Sequence, residues 1–138
     1  MMPRILFVTP RSEDAECVSR MLRTLPVSLD HAGDLQGARS KLQEASYKVI
    51  LTEAALPDGY WQDVLQVARQ SFPETEVIVT DPLADGRFWA EALNLGAYDL
   101  LAQPFYESEV RRILSNACTR VSRGPVAPLT MSASAGLQ

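Results

Sequence analysis

Histidine occurs once, cysteine twice, and basic residues are outnumbered. Thirteen lysines and arginines face 17 aspartates and glutamates, a formal net charge of −4 over 138 residues. The lone His31 makes a histidine-rich metal site and histidine-based catalysis both unexpected; at a strand end it reads as structural. Cys17 and Cys118 match no CxxC or other metal-ligating spacing and read as reduced thiols on or near helices. The acidic balance argues against a dedicated nucleic-acid-binding domain, which would carry a basic stripe. No apolar run approaches the roughly 18 residues needed to span a bilayer. "ILFV" near the N-terminus is too short for a signal peptide, and acidic residues follow closely. These absences lead to the expectation of a cytoplasmic protein with no membrane contact, no metal and no cofactor.

What is present is a chain able to bury a core: 46% of residues are hydrophobic and 22% charged. Short apolar runs alternate with amphipathic stretches. "RILFVT", "VSLDHA", "KVILTE", "EVIVTD" and "YDLLA" read as strands, the third apolar without alternation, as when both sheet faces are covered. Between them, apolar residues recur at spacings of three and four: Ala15, Val18, Leu22 and Leu25, then Leu35, Ala38 and Leu42, then Val64, Leu65, Val67 and Ala68. Asp34 is a candidate N-cap, Asp58-Gly59 the expected opening of the third helix, and Gly96 the stop of the fourth. The last helix presents Val110, Ile113, Leu114, Ala117 and Val121. Five strand–helix repeats with short connections predict an α/β fold: a doubly wound, five-stranded parallel sheet with five helices. Function in such sheets gathers at the carboxyl ends of the strands, here Thr9-Pro10, Glu53, Asp81 and Gln103-Pro104. Residues 1–121 form the expected domain. Residues 122–138, rich in Pro, Ser, Ala and Gly, read as a linker or tail.

Residues Arg4 to about Val121 resemble the bacterial response-regulator receiver domain, the chemotaxis-type module of two-component systems. The resemblance rests on "RILFV", "YKVILTEAALPDG", "EVIV", "EALNLGAYDLLAQPF" and the closing helix. It implies the flavodoxin-like fold and a cis bond at Gln103-Pro104. It also implies a phosphorylation site of five parts: two acids after strand 1 that hold Mg²⁺, an acceptor Asp after strand 3, a Thr or Ser after strand 4, and a Lys after strand 5. This sequence departs at all five, with Thr9 and Pro10, Glu53, Asp81 and Gln103. Leu100 stands where a switch aromatic usually lies, while Pro57, Gly96 and Pro104 keep their places.

Phosphoryl transfer depends on positioning and charge stabilisation, so losing metal ligands and Lys predicts a degenerate receiver. It would signal through phosphorylation-independent protein contacts and not act as an enzyme. Glu53 then reads either as a built-in mimic of the phosphorylated state or as a carboxylate left at a retired site. The alternatives are a true phosphoacceptor using Glu53, or a small hydrolase using Glu53 and Asp81. Arg11 reads as a guanidinium replacing the metal, paired with Glu53 or Asp81, or as a solvated loop residue. Gln103 reads as a donor to a buried carboxylate. Tyr60 and Trp61 lie near the site, with core packing or pocket cover both open.

On the fourth helix, Trp89, Ala92, Leu93 and Gly96 are expected to face the sheet, leaving Phe88 and Leu95 outside with Glu91 between them. With Arg111 and Arg112 as a charged rim, they form a candidate interaction face on the fourth helix, fifth strand and fifth helix. The expected partner is an output domain, a kinase, or a second receiver in a homodimer.

Overall fold

The computed structural model describes residues 2–83 and 85–119. The helical contact read for Val121 and the tail read for 122–138 lie outside them. Five parallel strands, β1 (Arg4–Val8), β2 (Ser28–Ala32), β3 (Val49–Glu53), β6 (Glu76–Asp81) and β7 (Asp99–Ala102), form one sheet in the order β2-β1-β3-β6-β7. Five helices connect and cover them: α1 (Ser12–Met21), α2 (Leu35–Glu44), α3 (Trp61–Ser71), α4 (Gly86–Asn94) and α5 (Glu107–Thr119). The doubly wound sheet anticipated from the sequence is the one observed. Because a short antiparallel ribbon, β4 (Ala55–Leu56) and β5 (Gly59–Tyr60), intervenes, the sheet's fourth and fifth strands are β6 and β7.

Alternation along each strand builds two cores. Leu6, Val8, Ile50, Val77 and Val79 face α2, α3 and α4, whereas Ile5, Phe7, Val49, Leu51, Ile78 and Leu101 face α1 and α5. Successive side chains point to opposite faces, so a run such as "RILFV" must be apolar throughout to serve both. The order turns back on itself between β1 and β3, and that switch point puts the residues after them at the mouth of a crevice.

Caps fix the connections. Asp34 accepts a hydrogen bond from the Gly37 N–H at 2.7 Å, as an N-cap should. Asp58 does not open α3. Its carboxylate accepts from the N–H groups of Leu35 and Gln36, at 2.8 and 3.1 Å, so it ties the loop after β3 to the start of α2. The third helix begins later, at Trp61, where Asp63 accepts from the Tyr60 N–H at 2.9 Å. Gly59 lets two side chains close in: a Cβ there would lie 2.8 Å from Asp63 Oδ2 and 2.9 Å from Leu35 Cδ2, so both side-chain ends would have to shift. Gly96, at φ +113°, ends α4, and Gln103-Pro104 is cis.

The fourth helix is rotated from the expected phase. Phe88 is half-buried and packs on Trp61, with ring centroids 6.5 Å apart, and Ala92 is fully buried. Trp89 is 47% exposed, its indole N–H donating to Asp99 Oδ1 at 3.2 Å. Phe88 therefore belongs to the core and Trp89 to the surface, the reverse of the sequence expectation; Leu95 is exposed as expected. Asp85 sets the phase by capping the Phe88 N–H at 2.9 Å.

Candidate functional site at the carboxyl end of the sheet

Glu53 closes β3 and is 5% exposed. Its Oε2 accepts two hydrogen bonds, from Thr9 Oγ1 at 3.1 Å and from Gln103 Nε2 at 3.3 Å. Thr9 is held from three sides. Its N–H donates to the Ala32 carbonyl at 2.9 Å, its carbonyl accepts from His31 Nε2 at 2.7 Å, and its hydroxyl oxygen accepts from the Arg11 N–H at 3.2 Å. A carbonyl can only accept, so His31 carries its proton on Nε2 in this contact. The lone histidine thus serves the backbone of the site without facing a ligand.

Thr80, fully buried, pairs with Glu53 in the β3–β6 register and accepts the second hydrogen bond of Gln103 Nε2 at 3.2 Å. Sequence reading placed Asp81 in this pocket and passed over Thr80. Asp81 turns away: its Oδ1 accepts from the Leu83 N–H at 2.7 Å, closing a turn in the loop before α4. In a parallel register, paired residues share a face and the next residue takes the other, so one position decides which of the two meets Glu53.

Burial pushes the Glu53 carboxyl above its ordinary range. The hydrogen bonds from Thr9 and Gln103 and the charge of Arg11 act against that, and the nearby Asp14 carboxylate adds to it. Arg11 ion-pairs with neither Glu53 nor Asp81. Its Nε lies 3.4 Å from Asp14 Oδ2, one helical turn along. Pro10 is exposed. Leu100 is half-buried and packs on the core under α4. Trp61 is a core residue and Tyr60 is 63% exposed.

The donor set does not fit Mg²⁺, which takes hard oxygen ligands, usually with carboxylates. After β1 stand a threonine, whose hydroxyl is spent on Glu53, and a proline. Among the described residues no three acidic, histidine or cysteine side chains converge in a metal-holding group. A hydrolytic Glu53–Asp81 pair is not assembled either, because Asp81 is bonded into its own loop.

Two residues assigned to the outer face from sequence lie elsewhere. Phe88 is core, as above. Arg111 donates to Thr24 Oγ1 at 2.6 Å and to the Met21 carbonyl at 3.3 Å, tying α5 to the end of α1. The long side chain reaches back across the helix, so Arg111 braces the fold where Arg112, Glu91 and Leu95 stay exposed.

No family model matches the chain. The response regulator protein PilR of Pseudomonas aeruginosa is 25% identical over 114 residues, which is 83% of this chain but 26% of PilR. Of solved structures, the signal receiver domain of an HD domain-containing protein from Pseudomonas fluorescens Pf-5 superposes with TM-score 0.76 at 26% identity, covering 85% of this chain and 94% of that one. The beryllofluoride-activated NtrC4 receiver domain dimer gives TM-score 0.77 at 25% identity, covering 84% and 96%. This chain has the receiver-domain fold and is homologous to response-regulator receiver domains.

Proposed function

We propose that the chain is a receiver domain of two-component signalling that works through protein contacts without being phosphorylated. The observation that supports this reading is the state of the Glu53 carboxylate. It is buried and already engaged by Thr9 and Gln103, and every donor is neutral. A phosphoryl group arriving there would bring negative charge to a carboxylate with no Lys and no metal ligands beside it. We expect intact mass spectrometry after incubation with acetyl phosphate and Mg²⁺ to show an unshifted mass. One added phosphoryl group, mapped to Glu53, would overturn the reading.

The second reading, a phosphoacceptor at Glu53, has its own support. One similar structure is a receiver in a beryllofluoride-activated form, and Thr80 places a hydroxyl beside Gln103 where receivers carry a Thr or Ser. The same experiment separates the two.

The partner surface in this reading is the face of α4, β7 and α5. With Phe88 and Arg111 removed from it, the contacts pass to Trp89, 47% exposed, and Leu95, 51% exposed, with Glu91 and Arg112 at the rim. The partner is an output domain, a kinase or a second copy. Replacing Trp89 and Leu95 together by Asp is expected to weaken association at least about tenfold by sedimentation, as loss of two apolar anchors should, with the fold intact by circular dichroism. Unchanged association would remove this face from consideration.

A further inference from the structure

No further inference is drawn: the strongest candidate, the hollow of about 670 Å³ at the amino end of the sheet where Lys48 stands beside Tyr47, Phe72 and Cys118, is an open and mainly apolar surface, and nothing in the structure shows what covers it.

Discussion

Trp61→Ala is expected to cost about 3–5 kcal/mol of stability, the usual range for emptying a buried tryptophan site. The residue opens α3 and is 3% exposed. Its backbone N–H is fixed to the Ala54 carbonyl at 2.9 Å, so the main chain is held where it is when the ring is removed. The indole belongs to the core cluster that includes Leu56, Val64, Leu65 and Ala92, and it meets the half-buried ring of Phe88. Two rings tilted at 52° with centroids 6.5 Å apart bridge α3 to α4. An alanine would leave a cavity walled by sheet and two helices, with little freedom to collapse. Total stability for a domain of this size is about 5–15 kcal/mol, so the substituted protein would sit near the edge of folding. Urea denaturation checks this through a lowered midpoint at constant slope. Phe88→Ala should cost less, because that ring is only half-buried and its loss leaves the indole in place. A loss under about 1 kcal/mol for Trp61→Ala would be the cost of a surface change and would contradict the packing described.

The succession and spacing of strands were legible because the inner strands each carry a short apolar run, Ile5–Val8, Val49–Leu51 and Val77–Val79, and each crossover carries a helical stripe. Thr9, Glu53 and Gln103 could be grouped from sequence because strand ends converge in any parallel sheet of this order. What failed was phase. In α4, Phe88 and Trp89 are adjacent, both large and apolar, and lie four and three residues before the buried Ala92, so either could be assigned to the covered face. The choice fell to the Asp85 cap and to the indole N–H, which finds Asp99 at the sheet edge. In β6 the same one-residue ambiguity exchanged Thr80 for Asp81. Asp58 precedes a glycine and a helix, so it read as a cap for α3; its carboxylate instead holds the first N–H groups of α2. Arg11 drew attention as a cation near carboxylates, but helix spacing alone gave it the nearer partner, Asp14, three residues on.

Glu53→Gln should melt higher than the native protein at pH 7, by roughly 3–4 °C, the shift that about 1 kcal/mol produces in a domain of this size. The amide keeps the length of the side chain and an oxygen for Thr9 and Gln103, and removes the charge that burial opposes. The pH dependence comes from the direction of the shift. Burial raises the folded carboxyl above its unfolded value, so between the two the folded protein binds more protons. Stability from this group is fully present below the unfolded value and is lost as pH rises through the folded one. The gap between the two proteins should therefore be widest at neutral pH and close below about pH 4, where both forms are uncharged. Other carboxylates move the opposite way. The hydrogen bond from Arg4 lowers Asp30, and backbone N–H groups, that of Leu35 first, lower Asp58, so both withdraw stability as pH falls. They are common to both proteins and cancel in the difference, which is the quantity to plot from paired melts across pH. Should Glu53→Gln melt lower at pH 7, the charge at position 53 is net favourable, with Arg11 outweighing burial. The site would then be a stabilised fixed anion, the condition a built-in mimic of phosphorylation requires.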